Sequence, residues 1–197
     1  MNNLNKLILT AAVAALPLLG AGPAAAHSAD PGQYKIDPVH SYAFFTVTHL
    51  GVSRFTGRFD KVTGELTADG RGPANKVVAE IDMNSVDSGF ADRDKHLKSP
   101  DFFAAAQFPK ARFESTKVVF DAKGEGSLAG NLTLLGVTKP VTFKLQHVGA
   151  GKDPWGGYRS GYVATTTLKR SDFGMNYLLD GLSDAVELTL NVEAIKQ

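Results

Sequence analysis

Five histidines are the side chains of this sequence best suited to catalysis or metal binding: His27, His40, His49, His96 and His147. None has a second His or a Glu at the spacing of a helical metal-binding pair. The chain has no Cys, which excludes a thiol nucleophile, a zinc finger and a disulfide framework. We therefore expect no catalytic residue, no metal site and no cofactor among these side chains.

His96 belongs to a run of acidic, basic and imidazole groups, Asp92-Arg93-Asp94-Lys95-His96. Residues three and four apart on a helix are neighbours, so a dense mixture of charges is typical of a solvated helix face with paired side chains. We interpret this run as an exposed helix face and not as a catalytic cluster.

The first 26 residues have the features of an export signal. Lys6 is their only charged side chain, Leu7 to Leu19 form an apolar stretch, and Ala24-Ala25-Ala26 supplies the small residues of a cleavage site. The apolar stretch contains Pro17 and is shorter than the roughly 20 residues of a membrane-spanning helix. We expect residues 1–26 to be a cleaved signal peptide, with the protein in the periplasm.

Cleavage after Ala26 would place His27 at the amino terminus. An α-amine and an imidazole on one residue can chelate Cu(II), and such a terminus resembles that of copper polysaccharide oxygenases in this single residue. The competing interpretation is a flexible tail over 27–33. A copper-dependent enzyme that uses His27 stays open as a lesser alternative.

Charge and composition narrow the function classes further. The chain has 21 basic and 20 acidic side chains, and removal of Lys6 brings the formal charge to zero. A neutral chain has no electrostatic footprint for nucleic acid or for anionic lipid, and 43% apolar residues are too many for a disordered chain. We expect one globular domain over 34–197, with no nucleic-acid partner and no stable membrane insertion.

Strict alternation of apolar and polar residues predicts many antiparallel strands. Five segments place every formal charge on one face and apolar or small residues on the other: 62–68, 77–83, 128–134, 141–147 and 186–194. Short Gly, Pro, Asp and Asn clusters separate the strands, which predicts sequential hairpins. About eight strands with one uncharged face fit either a closed barrel or a two-sheet sandwich, and periodicity does not separate the two.

A helical insertion interrupts the strands between Ser88 and Phe108. Residues 91–98 lack β-branched side chains, and Ser99-Pro100-Asp101 has the capping hydroxyl, proline and acid of a helix start. We predict two short helices, 91–98 and 100–106, with Phe102 and Phe103 packed over an open end of the sheet.

Several motifs resemble those of the bacterial YceI-like, polyisoprenoid-binding proteins. They occur in the same order along nearly all of 34–194: Tyr34-Lys35-Ile36-Asp37-Pro38-Val39-His40-Ser41, Phe45-Thr46-Val47-Thr48-His49-Leu50-Gly51, Gly57-Arg58-Phe59, His96-Leu97-Lys98-Ser99-Pro100-Asp101-Phe102-Phe103, Leu134-Leu135-Gly136-Val137-Thr138-Lys139-Pro140-Val141 and Lys169-Arg170-Ser171-Asp172-Phe173-Gly174-Met175. Ala104-Ala105-Ala106 replaces the more polar residues usual after the paired Phe.

This resemblance implies an all-β, lipocalin-like extended antiparallel eight-stranded β-barrel with a short helical insertion. It implies a non-catalytic periplasmic protein, linked in some members to stress conditions, whose lumen holds a long-chain lipid such as an isoprenoid quinone, a polyisoprenoid or a fatty amide. The lipid is then the ligand, and no further cofactor is expected.

We predict that the uncharged strand faces line the ligand site. His147 continues one apolar face, so it is either a hydrogen-bonded core residue or a polar contact for a ligand head group. The candidate ligand-binding residues are Phe45, Val47, Phe59, Leu66, Ile81, Phe102, Phe103, Leu132, Leu134, Phe143, Leu145, His147, Leu188 and Leu190. A barrel filled by its own side chains, as in a structural or stress protein without a ligand, is the main alternative. Monomer and homodimer both stay open.

Overall fold

The structure is a computed structural model that describes residues 29–70 and 74–197. The predicted signal peptide, 1–26, and His27 lie outside the described residues. Part of the predicted tail belongs to the fold, because Ala29 is buried and the first strand already includes Gly32 and Gln33. Tyr34 donates a hydrogen bond from its hydroxyl to the Asp30 carbonyl at 2.8 Å, which ties this segment to the barrel.

Eleven strands, one α-helix and two short 3-10 helices, Met83–Ser85 and Arg170–Phe173, make up the described residues. The strands and the helix are β1 Gly32–Ile36, β2 Tyr42–His49, β3 Ser53–Phe59, β4 Val62–Ala68, β5 Lys76–Asp82, β6 Val86–Asp87, α1 Ala91–Leu97, β7 Lys110–Phe120, β8 Glu125–Leu134, β9 Val137–Lys152, β10 Tyr158–Lys169 and β11 Ala185–Lys196. No helix among the described residues is long and apolar enough to cross a membrane.

Eight of these strands form a closed antiparallel circuit, in the order β1-β4-β5-β7-β8-β9-β10-β11 and back to β1. Closure depends on β1, which pairs with β4 on one side and with the end of β11 on the other. The predicted eight-stranded barrel is therefore confirmed, and the two-sheet sandwich is excluded.

The remaining strands, β2, β3 and β6, extend the barrel beyond this circuit, and each is separated by a short break from a strand of the circuit. β1 and β2 lie one after the other along the same edge of β11, so together they act as one long strand with a break. β3 with β4, and β5 with β6, are broken in the same way, because β2 pairs with β3 and β3 pairs with β6. The chain is thus an up-and-down meander, and each of its first three long strands is interrupted once.

The helical insertion differs from the prediction in its second half. α1 forms over Ala91–Leu97, but residues 99–107 are a series of turns. The amides of Phe103 and Ala105 donate back to the carbonyls of Leu97 and Lys98, and Ala104 has a positive φ of 43°. These hydrogen bonds to the end of α1 take the place of the i to i−4 bonds of a second helix, so the capping signals at 99–101 do not lead to one.

Candidate functional site

A cavity of about 530 Å³ lies in the barrel at the end where β2 turns into β3 and β8 turns into β9. Apolar side chains of β2, β3, β8 and β11 form its walls, and the residues after α1 form part of its cover. Phe103 packs edge-on against Phe45 and Phe59, with ring centroids 5.9 and 5.1 Å apart. The insertion therefore covers the cavity with an aromatic cluster.

A second, smaller chamber of about 90 Å³ continues the cavity toward the middle of the barrel. Ile81, Ala111, Leu132 and Leu188 line both chambers, so they form the junction between them. The open space follows the barrel axis and suits an elongated molecule better than a compact one.

All thirteen apolar residues of the predicted site line one chamber or both. We call the larger cavity the upper chamber and the smaller one the lower chamber. The upper chamber is lined by Phe45, Val47, Phe59, Ile81, Phe102, Phe103, Leu132, Leu134 and Leu188. The lower chamber is lined by Leu66, Ile81, Leu132, Phe143, Leu145, Leu188 and Leu190. For the eleven of them that lie on strands, the reason is alternation, because side chains at every second position point into the barrel. Phe102 and Phe103 lie in the turns after α1.

His147 is placed differently and lines neither chamber. It is 2% exposed, and its Nε2 lies 3.0 Å from the Ser160 hydroxyl, which donates to the Tyr162 hydroxyl at 2.9 Å. The imidazole also packs against the Tyr162 ring, and burial raises the pKa of that phenol. Of the two interpretations, the geometry supports the hydrogen-bonded core residue.

Polar groups in the cavity lining are concentrated at its mouth. Arg54, Arg93, His49, His96 and Tyr177 reach the lining, whereas no carboxylate does so among the described residues. His96 Nε2 lies 2.8 Å from an Asp101 carboxylate oxygen, so the ring is held between that acid and the aromatic rings of the mouth. The site can bury an apolar chain in its depth and offer hydrogen-bond donors at its entrance.

Asp37, His40 and Glu193 bring three potential metal-ligating side chains together away from the cavity. The Arg159 guanidinium already binds two of them: it donates to Asp37 at 2.9 Å and to Glu193. Burial opposes ionisation of Asp37, but hydrogen bonds from His40, the Val39 amide and Arg159 lower the pKa of this carboxyl. The cluster is organised as an ion-pair network around an arginine, and we assign it no metal.

The family model of the YceI-like domain matches residues 34–194, which is most of the chain. The chain belongs to the YceI-like family. A UPF0312 protein of Pseudomonas aeruginosa is 48% identical over 183 residues, covering 91% of this chain and 95% of the relative. A UPF0312 protein of Yersinia enterocolitica is 44% identical and covers 98% of both chains.

Solved structures place this YceI-like chain in the same fold. The Campylobacter jejuni YCEI protein superposes with a TM-score of 0.69 at 29% identity, covering 76% of this chain and 90% of that one. A polyisoprenoid binding domain from Saccharophagus degradans superposes with a TM-score of 0.65 at 17% identity, covering 85% of this chain and all of that one. At that identity the second comparison supports the fold alone.

Several lining residues were not predicted from the sequence of this YceI-like chain. Some lie on strands, such as Phe55, Leu168 and Val186, and a further group lies between β10 and β11. Phe173, Met175, Tyr177, Leu178 and Leu182 all line the upper chamber. The apolar residues of this segment follow neither a period of two nor a helical period, so alternation did not identify them. Two signals could have pointed to them: the high density of apolar side chains in this segment, and the motif Lys169–Met175, which contains Phe173 and Met175.

Proposed function

We propose that this protein is a periplasmic carrier that sequesters a long-chain apolar lipid, such as an isoprenoid quinone, a polyisoprenoid or a fatty amide, in its barrel. The observation that supports this function best is the pair of adjacent, apolar-lined chambers in the barrel, which share four lining residues. A barrel without a ligand would be expected to fill this space with its own side chains.

The physical basis of binding is the hydrophobic effect. Burial of about 400 Å² of apolar ligand surface, at about 25 cal/mol/Å², contributes on the order of 10 kcal/mol before the entropic costs of association. The chain's own residues would act as walls and as a cover, while the donors at the mouth would face a polar head group. No chemical step is part of this function, and neither a cofactor nor a nucleic-acid partner belongs to it.

The proposal is tested by extracting lipid from protein purified from its native cells and analysing the extract by mass spectrometry. We expect about one long-chain lipid per protein. A Leu188→Trp variant places an indole at the junction of the chambers and should reduce the recovered lipid by about tenfold. Thr189→Trp adds the same side chain at the next position of β11, on the opposite face, and should leave the yield unchanged.

The proposal would be contradicted if the purified protein contains no lipid and also does not bind a polyisoprenoid alcohol added in ethanol. Equal amounts of recovered lipid in the two Trp variants would place the ligand outside the lumen. The periplasmic location is tested separately by sequencing the amino terminus of the exported protein. We expect it to begin at His27.

A further inference from the structure

Six exposed apolar side chains line the mouth of the cavity or lie within three positions of residues that line it. We call them the rim: Leu50, Val52, Phe90, Tyr177, Leu178 and Leu179. The other exposed large apolar side chains among the described residues, Val39, Val119, Val148 and Trp155, are distributed over the rest of the surface. Single exposed apolar residues are ordinary, but a contiguous group marks an interaction surface.

Hydrogen bonds and ring contacts join the three segments that carry the rim. The Leu50 amide donates to the Gly181 carbonyl at 2.7 Å, which connects the β2–β3 turn to the segment before β11. The His96 ring lies 5.3 Å from the Tyr177 ring and connects α1 to the same segment. The rim is therefore a built surface and not a coincidence of independent loops.

Leu50 and Leu178 occupy backbone conformations that do not favour leucine. Both have a φ of 52°, in the left-handed region where Gly or Asn is preferred. Leu135 has the same φ, but its side chain packs against the core, which explains its presence there. Leu50 is 60% exposed and lines neither chamber, so packing within this chain does not account for an apolar side chain there. Leu178 lines the upper chamber, but 48% of it is still exposed.

Continuity between the rim and the cavity indicates what covers the rim. A long-chain lipid resides in a membrane, and its passage through water would expose the same apolar surface that the cavity buries. A rim seated in the bilayer surface would bring the cavity mouth directly against the acyl chains. The nearby charges are mixed, with Arg93 and Lys95 opposed by Asp92 and Asp180, so the attraction is expected to be apolar and not electrostatic.

We propose that the rim docks reversibly on a phospholipid bilayer, so that lipid enters the cavity without crossing water. Leu50 and Leu178 would then insert at the boundary between head groups and acyl chains. This inference rests on the proposed function, because it assigns the membrane as the source or destination of the cavity's ligand.

The test is flotation of the purified protein with phosphatidylcholine vesicles that contain no isoprenoid. We expect the wild-type protein to float with the vesicles, in low salt and also in 1 M salt, where the Debye length is about 3 Å. The double variant Leu50→Asn, Val52→Asn, whose two positions do not line the cavity, should show at least a tenfold lower partition coefficient, on the order expected for two apolar side chains. Asn tolerates the positive φ at position 50, and Val52 is 81% exposed, so the variant should fold.

Trp155→Ser is the matched control, because Trp155 is 82% exposed in the β9–β10 turn at the opposite end of the barrel. It should float like the wild type. Flotation of the double variant at the wild-type level, an equal loss in Trp155→Ser, or loss of wild-type binding in 1 M salt would overturn the inference. Wild-type protein that does not bind vesicles but self-associates through the rim would also overturn the inference. Size-exclusion chromatography would then show a larger species for the wild type than for the double variant.

Failure of this inference and failure of the proposed function give different results. The vesicles contain no ligand, so flotation does not depend on an occupied cavity. Uptake of a polyisoprenoid alcohol delivered in ethanol measures the cavity alone and should be normal in the double variant. Uptake from vesicles loaded with the same alcohol should be at least tenfold slower in the double variant than in the wild type.

Discussion

Arg170 shows at the residue scale how one buried cation shapes the mouth. It is 4% exposed, and all five of its N–H groups donate to backbone carbonyls. Burial lowers the pKa of its guanidinium, and the nearby Asp184 carboxylate partly offsets this effect. The acceptors are the carbonyls of Met175, Tyr177, Leu178, Leu182 and Ser183, so a single side chain determines the path of the segment that carries half of the rim.

We predict that Arg170→Lys destabilises the protein by about 2 to 3 kcal/mol, because an ammonium cannot reach all five buried acceptors. Urea unfolding followed by circular dichroism measures the change. Lys169→Gln removes a charge from the neighbouring exposed position and should stay within about 0.5 kcal/mol of the wild type. Equal stability of Arg170→Lys and the wild type would mean that the segment is held by other contacts.

At the element scale, glycines determine where the strands of the barrel approach each other most closely. Gly64 of β4 has a φ of 151°, and a Cβ there would collide with the backbone carbonyl of Val78 on β5. A Cβ at Gly130 would collide with the Glu114 carbonyl and the Phe113 ring. The small residues on the apolar face thus do not simply make room for a ligand, since these two allow neighbouring strands and side chains to pack closely.

We predict that Gly64→Ala costs about 2 to 4 kcal/mol of stability, because the added methyl group forces β4 away from β5. Gly161→Ala is the matched control on β10, where the nearest side-chain atom would lie at an ordinary contact distance of 3.7 Å. It should change stability by less than about 1 kcal/mol. Thermal unfolding of both variants provides the comparison, and similar melting temperatures would contradict this account of Gly64.

At the scale of the whole molecule, the interior of the barrel contains open chambers where a filled core would have contacts between side chains. Side chains that would otherwise contact one another face the open chambers instead, so the lipid-free protein lacks part of the dispersion contacts of a filled core. Binding of a ligand to the folded state alone must therefore raise the apparent stability.

We predict that lipid-free protein melts about 5 to 10 °C below protein saturated with a polyisoprenoid alcohol, since ligand at 100 times its Kd contributes about 2.7 kcal/mol. Differential scanning calorimetry with and without the alcohol measures the shift. The Leu188→Trp variant should melt at one temperature in both conditions. If the melting temperature of the wild-type protein does not change when the alcohol is added, the alcohol does not occupy the lumen.

The sequence identified strand residues that line the two chambers in the structure. Eleven of the thirteen apolar residues lie on strands, where every second side chain points to the same face, which is a local property. Prediction failed for the turns at 99–107 and for the segment between β10 and β11. In both places the backbone follows irregular hydrogen bonds, such as those from Arg170 to the carbonyls of the segment that follows it, and no helical or strand period records them.

The sequence by itself thus determined which strand faces are apolar, where α1 lies and that these motifs resemble YceI-like proteins. Only the tertiary structure decided that the strands close, because β1 pairs with the end of β11 and these segments lie at opposite ends of the chain. It also decided which end of the barrel is open and that His147 lies outside the cavity. Closure, opening and enclosure depend on contacts between residues far apart in sequence, and alternation along one strand carries no information about them.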